Sequence, residues 1–178
     1  MKSCLVLFSG GMDSMLLMKM ASREFDRVVP LFVNYGQTHL RPELRAATEY
    51  AGDELQFIEA ALPVVMSDAS PIVPGRNAVL LSLAVAKASA SGCCEVWIGC
   101  CAADAAVFHD CRPAFIHAFA TASSLATPGI HVRAPLLDWS KRDIREALGE
   151  DLGDSWSCYF PNNDKPCGEC GACKARVQ

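Results

Sequence analysis

The sequence predicts an α/β protein with a parallel, Rossmann-like sheet and a small cysteine-rich tail. Two observations predict it: short apolar segments alternate with helical segments over most of the chain, and four closely spaced cysteines follow them. Alternation of strands and helices favours a parallel sheet that is covered on both faces. At 178 residues the chain has the length of one domain. We therefore divide it into a main domain at residues 1–155 and a tail at residues 156–178.

The strand and helix segments follow one another in order. Short apolar runs predict strands at residues 4–8, 28–34, 55–58, 95–99 and 131–134. Helix-forming segments are found at residues 15–23, 41–52, 78–91, 112–125 and 140–148. Gly92 is suited to end a helix and Ser140 to cap one. Residues 62–77 contain three prolines and little periodicity, which predicts a loop.

Composition and charge exclude several classes of function. The net charge is −4, and the hydrophobic and charged fractions of 51% and 20% are typical of a soluble globular protein. The sequence has no run of lysine and arginine, which argues against a large nucleic-acid surface. No apolar run approaches the ~20 residues that span a bilayer, and the first residues do not form a signal peptide. We expect a cytoplasmic protein that contacts neither a membrane nor nucleic acid.

The tail carries the pattern of a metal site. Cys158, Cys167, Cys170 and Cys173 are spaced C-x8-C-x2-C-x2-C. Two-residue spacings let neighbouring thiolates turn toward one ion, and four soft ligands favour a tetrahedral structural zinc. An iron–sulfur cluster and four unrelated thiols remain as alternatives. The other six cysteines are expected to act as small buried apolar residues.

A polar turn interrupts the apolar N-terminal segment. Ser9-Gly10-Gly11 and Asp13-Ser14 lie between the first predicted strand and the first helix. Backbone N–H groups at such a turn, together with a helix N-terminus, bind anions such as phosphate. A carboxylate at position 13 would repel phosphate unless it shapes the loop or binds Mg²⁺. The alternative is a glycine turn with no ligand.

These motifs resemble those of a known family. SGGMDS resembles the SGGxDS signature of the PP-loop ATP pyrophosphatases, which bind ATP at this loop. The 7-cyano-7-deazaguanine synthase family within that group is similar over nearly the whole chain. The resemblance rests on residues 34–37 with His39, on VPGRN at residues 73–77, on Asp104, residues 110–112 and residues 135–136 with Lys141, and on Cys158-Tyr159 with the CGECGAC tail.

The resemblance implies an ATP-dependent C–N ligase, with ATP, Mg²⁺ and zinc as cofactors and a homodimer as its assembly. The family converts 7-carboxy-7-deazaguanine and ammonia into the nitrile, through an adenylated carboxylate and an amide, on the route to queuosine. It also implies three groups of site residues in this chain. The phosphates and nucleotide would be bound by Ser9, Gly10, Gly11, Asp13, Ser14 and Asn77. The catalytic groups would be Asp13, Arg76 and Lys141, and the deazaguanine would be bound by Tyr35, Gln37, Asp104, Asp110 and Arg112.

Each assignment has a structural alternative. Asn77 could cap a helix, Lys141 could be a surface lysine, and the acids with Arg112 could form a solvated charged loop. His39 could be a general base or an ordinary polar residue of a loop. Phe108 could stack on a base or belong to the core.

Two departures from the family leave other functions open. The connector before Val73 is shorter than in many relatives, and residues 101–109 differ from the usual pattern where substrate would bind. The enzyme could therefore stop at 7-amido-7-deazaguanine or join the deazapurine to another amine. A zinc-stabilised nucleotide-binding module without catalysis and a tRNA thiolase are further alternatives.

Overall fold

The computed structural model describes residues 2–62 and 72–177. Within these ranges the strands are β1 Ser3–Leu7, β2 Arg27–Asn34, β3 Gln56–Glu59, β4 Glu95–Trp97 and β5 His131–Arg133. The helices are α1 Met12–Glu24, α2 Leu40–Ala51, α3 Arg76–Ser91, α4 Ala102–Val107, α5 Pro113–Ala126, α6 Lys141–Leu148 and α7 Gly171–Val177. Short 3-10 turns are found at Gly52–Glu54, His109–Cys111 and Gly149–Asp154.

The predicted strands and helices are confirmed, with small shifts at their ends. The helix predicted from residue 78 begins at Arg76, and most of the predicted loop before it, at residues 63–71, lies outside the described residues. Two helices were not predicted. Ala102–Val107 has only six residues, too few to display helical periodicity, and the cysteine spacing of the tail obscured the helix at Gly171–Val177.

All strands of the sheet are parallel, in the order β3-β2-β1-β4-β5. The chain builds outward from β1 to β3 and then crosses to the other side of β1 to form β4. The connections that follow β1 and β4 therefore lead toward opposite edges of the sheet. The carboxyl ends of these two strands flank a crevice, which is where open α/β sheets bind ligands.

Two apolar layers cover the faces of the sheet. On β1, Cys4 and Val6 point into the layer that contains α1, while Leu5 points into the layer that contains α3. All three side chains are fully buried, as expected for a central parallel strand. Five of the six cysteines outside the tail are also buried and Cys94 is half-buried, which agrees with their expected apolar role.

The tail packs on the core. The N–H of Trp156 donates to the carbonyl of Gly10 at 2.8 Å. The Thr38 hydroxyl donates to the Tyr159 carbonyl at 3.3 Å, and the Arg145 guanidinium donates to the Ala175 carbonyl at 2.7 Å. The domain boundary at residue 155 stays a prediction. None of the helices at residues 2–62 and 72–177 combines the length and apolar character needed to cross a membrane.

Candidate active site and metal centre

A cavity of about 500 Å³ opens at the carboxyl ends of β1, β2 and β4. This is the crevice that the strand order predicts. Trp156, Ser157, Tyr159 and Phe160 of the tail form part of its wall. The tail therefore helps to enclose the cavity in addition to carrying the cysteines.

The polar turn after β1 depends on a close approach to α2. Gly10 has φ +75°, and a Cβ there would lie 2.7 Å from the backbone nitrogen of Ala47. The Gly11 N–H donates to the Ser9 hydroxyl at 3.3 Å, and the Ser14 hydroxyl donates to the Gly11 carbonyl at 2.9 Å. Helix α1 begins at Met12, directly after Gly11. Its N-terminal N–H groups therefore lie beside the cavity, where they favour an anion.

Lys141 brings the first turns of three helices together. Its ammonium donates to both carboxylate oxygens of Asp13, at 2.8 and 3.0 Å, and to Asp104 Oδ2 at 3.1 Å. The three side chains are only 16–22% exposed. Burial opposes the charged form of Lys141, but the two carboxylates raise the pKa of its ammonium above the ordinary value. Lys141 is therefore a fixed cation at the cavity wall.

Asp13 packs closely against the residue after a strand end, in addition to its contact with Lys141. Gly99, which follows β4, lies so close that a Cβ there would be 3.1 Å from Asp13 Cβ. Burial is the largest effect on Asp13 and raises the pKa of its carboxyl, with Lys141 acting in the opposite direction. Asp104 also accepts the N–H of Cys101 at 3.2 Å, which fixes it at the start of α4.

Arg76 supplies a second cation to the cavity. Its guanidinium donates to the Tyr35 hydroxyl at 3.3 Å, and its central carbon lies 5.8 Å from the centre of the Tyr35 ring. Among the described residues no carboxylate lies within 4.0 Å of it. A guanidinium always carries its charge and presents several donors, so Arg76 can receive a phosphate or a carboxylate.

Asn77 and Asp110 form a structural link between α3 and the turn before α5. Gly75, with φ +69°, caps α3, so the alternative that Asn77 is the cap is wrong. Asn77 donates from its side chain to the Asp110 carbonyl at 3.2 Å, and its own N–H donates to the Asp110 carboxylate at 2.9 Å. Arg112 donates to the Ala105 carbonyl at 3.3 Å and is exposed.

Gln37 and Glu43 order the loop after β2. Gln37 accepts the N–H of Tyr35 at 2.9 Å and donates to the Glu43 carboxylate at 3.2 Å. The other oxygen of Glu43 lies 3.4 Å from Nε2 of His39. His39 is 2% exposed and lines the cavity, so it is not an ordinary loop histidine.

Most of the site residues predicted from the sequence meet at this cavity. It is lined by Ser9, Gly11, Asp13, Ser14, Tyr35, Gln37, Arg76, Asn77, Asp104 and Lys141. The structure does not place Gly10, Asp110 and Arg112 in its wall; Gly10 instead packs against α2. Phe108 both lines the cavity and packs on the core.

The four cysteines of the tail converge. Their sulfurs lie within 4.8 Å of one another, and those of Cys167 and Cys173 are 3.9 Å apart. Four sulfurs at about 2.3 Å from a tetrahedral zinc would be separated by about 3.8 Å. N–H groups of Cys170 and Glu169 stabilise the thiolate of Cys167 and lower its pKa to about 6. The cluster can therefore hold a metal ion, and its donors fit zinc.

The family of the chain follows from a comparison with known proteins. A family model described as "Queuosine biosynthesis protein QueC" matches residues 3–67 and 59–178. The chain belongs to the QueC family. Its relatives include the 7-cyano-7-deazaguanine synthases of Novosphingobium aromaticivorans, with 38% identity over 96% of this chain and 86% of the relative, and of Ectopseudomonas mendocina, with 34% identity over 99% and 92%. The family expected from the motifs is confirmed.

Two solved structures share the fold with this QueC family member. The U34-tRNA thiolase NcsA of Methanococcus maripaludis, solved with its [4Fe-4S] cluster, has a TM-score of 0.58 and 14% identity, and the match covers 98% of this chain and 63% of the thiolase. A predicted subunit of tRNA methyltransferase from Methanocaldococcus jannaschii has a TM-score of 0.57 and 15% identity over 82% and 73%. At such low identity both comparisons show the fold alone.

The sequence did not point to several residues of the cavity wall. Glu43, Trp156 and Ser157 gave no signal, because nothing in their neighbourhood marks them as more than helix or tail residues. Tyr159 had one available signal, since it directly follows the metal-ligand position Cys158.

Proposed function

We propose that this QueC family member converts 7-carboxy-7-deazaguanine, ATP and ammonia into 7-cyano-7-deazaguanine. The observation that carries the proposal is the meeting of the polar turn after β1, Arg76 and Lys141 at one cavity in the sheet crevice. The names of the relatives support the substrate class. The cavity volume of about 500 Å³ lies within the range of small-molecule sites.

The first proposed step is adenylation of the substrate carboxylate. A carboxylate is a poor electrophile because oxide is a very poor leaving group. The N–H groups at the start of α1, with Ser9 and Ser14, would bind the phosphates of ATP. Arg76 would bind the substrate carboxylate, and Lys141 would stabilise the charge that develops at phosphorus. Pyrophosphate then leaves, and the acyl group carries AMP as its leaving group.

The second half of the proposed reaction builds the C–N triple bond in two stages. Ammonia displaces AMP and gives the amide. Activation of the amide oxygen by a second ATP releases a second pyrophosphate. The oxygen then leaves with AMP, and loss of both N–H protons of the amide yields the nitrile. The same cations serve both activations, because in each case negative charge develops on phosphate oxygens at the same place.

Magnesium and zinc have separate proposed places. Asp13 and Asp104 would hold Mg²⁺ together with the phosphates, since Mg²⁺ binds one or two carboxylates and substrate phosphates, and the ion would neutralise phosphate charge. The ligand atoms of these two acids lie within 4.8 Å of each other. Zinc would be held by the four cysteines of the tail as a structural ion with no open position.

The proposal includes a cytoplasmic homodimer that acts on a free base and does not bind nucleic acid. The outer face of α5 supports an interface, since the helix has no acidic or basic residue besides His117, and Leu125 is 80% exposed. Sedimentation of the zinc-loaded protein measures the mass. A mass of two chains agrees with the proposal, and a mass of one chain contradicts this part of it.

Mass spectrometry of the product tests the proposed activity. Purified protein is incubated with 7-carboxy-7-deazaguanine, Mg-ATP and ammonium, and two AMP should form for each nitrile. A product that stays at the amide, with one AMP for each molecule, would refute the nitrile assignment. An absence of AMP formation with this acid would refute the proposed enzyme as a whole.

A further inference from the structure

His39, a residue of the cavity wall, has a buried ring nitrogen without a hydrogen-bond partner. Its side chain lines the cavity and is almost fully buried. Nδ1 of His39 and the Ser157 hydroxyl are the two buried side-chain polar atoms among the described residues that have no hydrogen-bond partner. Leaving such an atom unpaired is energetically costly, so unpaired groups in a native site call for an explanation such as a catalytic role.

The neighbours of His39 determine which nitrogen is free. Glu43, one turn along α2, places a carboxylate oxygen 3.4 Å from Nε2, and Gln37 holds the other oxygen of that carboxylate at 3.2 Å. A carboxylate only accepts hydrogen bonds, so the proton of a neutral imidazole belongs on Nε2. Tyr159 packs edge-on against the ring, with the ring centres 5.8 Å apart. Nδ1 is thus left as the nitrogen with a lone pair.

Few of the described groups that line the cavity are free to accept a proton. The carboxylate of Glu43 contacts both Gln37 and His39. Lys141 occupies Asp13 and Asp104, and Arg76 cannot accept a proton. Burial raises the pKa of the Tyr35 and Tyr159 hydroxyls, which keeps both phenols neutral. Yet attack by ammonia on an acyl adenylate must release one N–H proton.

We propose that His39, oriented by Glu43, accepts the proton of the attacking ammonia. This inference rests on the proposed function and adds a catalytic residue to it. The C–N bond forms at the acyl carbon, and the bond between that carbon and the AMP oxygen breaks. AMP leaves with the electron pair, and one N–H proton moves to Nδ1 of His39. The products are the amide, AMP and an imidazolium beside the Glu43 carboxylate.

The test separates amine attack from adenylation. Three rates are measured on the metal-loaded full chain: exchange of pyrophosphate into ATP with the deazaguanine acid, amide formation with ammonium, and hydroxamate formation with hydroxylamine. Hydroxylamine is largely unprotonated at neutral pH and attacks acyl adenylates readily, so it depends far less on a base. The variants are His39→Asn and Glu43→Gln, with His131→Asn, at an exposed position at the start of β5, as the matched control.

General bases contribute about 10²–10⁴-fold, so His39→Asn should slow amide formation by about 100-fold or more. Exchange and hydroxamate formation should stay within about threefold, since neither step needs the lone pair of Nδ1. Glu43→Gln, which keeps a polar group beside Gln37, should show a smaller loss with the same preference for ammonium. His131→Asn should change no rate.

Two outcomes overturn the inference. An equal loss of all three rates in His39→Asn and Glu43→Gln would show that His39 maintains the structure of the site and is not a proton acceptor. An unchanged rate with ammonium in either well-folded variant would show that His39 accepts no proton. Failure of the proposed function has a different signature, because the unaltered chain would then catalyse no exchange with the deazaguanine acid.

Discussion

At the scale of single residues, one ammonium joins two carboxylates in the cavity wall. Lys141 contacts the carboxylates of both Asp13 and Asp104, and all three groups are largely buried. Removing one member of a buried ionic group costs more than the pairing itself contributes, because the remaining charges stay buried without a partner. Arg76 then adds a second cation that no described carboxylate neutralises within 4.0 Å. Arg76 and the N-terminus of α1 are therefore the parts of the cavity that favour an anionic ligand.

Replacing Lys141 tests its proposed role in adenylation. Lys141→Met should lower the rate of pyrophosphate release by about 100-fold or more, because removal of one electrostatic stabiliser of a transition state has effects of that size. Arg142→Met on the same helix is the control, since its side chain is 73% exposed and pairs with Glu146. Equal rates in Lys141→Met and the unaltered chain would contradict the assignment.

Cys101 should make stability depend on pH above 9. Burial, aided by the Asp104 carboxylate, raises the pKa of its thiol from 9.0 to about 11. Below pH 9 the thiol is protonated in both states; between pH 9 and 11 only the unfolded chain loses the proton, so the free energy of unfolding falls as the pH rises. The free energy of unfolding, measured with denaturant across this pH range, should fall less steeply for Cys101→Ala than for the unaltered protein. Identical slopes for the two proteins would contradict the shift.

At the scale of elements, the polar turn and α2 hold each other in place. The backbone of Gly10 approaches α2 so closely that no side chain fits between them. The same helix carries Glu43 and begins beside His39, which both line the cavity. The position of α2 therefore fixes the phosphate turn and the histidine together.

Gly10→Ala should destabilise the protein more than a glycine replacement in open space. Both Gly10 and Gly92 have positive φ, near +75° and +67°, but a Cβ at Gly92 meets no atom within 4 Å. Left-handed backbone costs an alanine about 1–2 kcal/mol, so Gly92→Ala should lower the free energy of unfolding by that amount. Gly10→Ala adds a clash with Ala47 and should lower the free energy of unfolding by about 1 kcal/mol more than Gly92→Ala does. Equal losses in urea unfolding would refute the packing role.

At the scale of the whole molecule, the tail closes a site that the sheet alone leaves open. Four tail residues, Trp156, Ser157, Tyr159 and Phe160, form part of the cavity wall and flank Cys158 of the cysteine cluster. Apart from the cysteines, the buried apolar group around the cluster contains little more than Ala46 and Trp156. So small a core does not fold by itself, and the proposed zinc would supply the missing stabilisation.

Loss of one cysteine ligand should loosen the tail. Cys170→Ser should lower the bound zinc, measured by mass spectrometry, from about one ion per chain to well below one. Limited proteolysis should then cut within residues 156–177, and deazaguanine binding should weaken because Tyr159 loses its support. Cys94→Ser is the control, since its thiol donates to the Ser3 carbonyl at 3.2 Å, far from the cluster along the chain, and serine can do the same. Full zinc retention by Cys170→Ser would contradict the four-ligand site.

The sequence by itself predicted the features of this protein that depend on residues close together in the chain. The alternation of segments predicted the parallel sheet, and SGGMDS predicted the turn at the end of β1 because a strand, a glycine turn and a helix start are adjacent in sequence. The cysteine spacing predicted the metal cluster for the same reason.

Only the tertiary structure decided which distant residues meet. Lys141 reaches Asp13 across 128 positions of sequence, and the burial of His39 depends on the tail that packs over it. Asp110, predicted for the substrate pocket, is instead engaged with the backbone of α3. Such contacts follow from the order of the strands and from the crossover between β3 and β4. Sequence periodicity carries no information about either, because it reports only which face of a segment is buried.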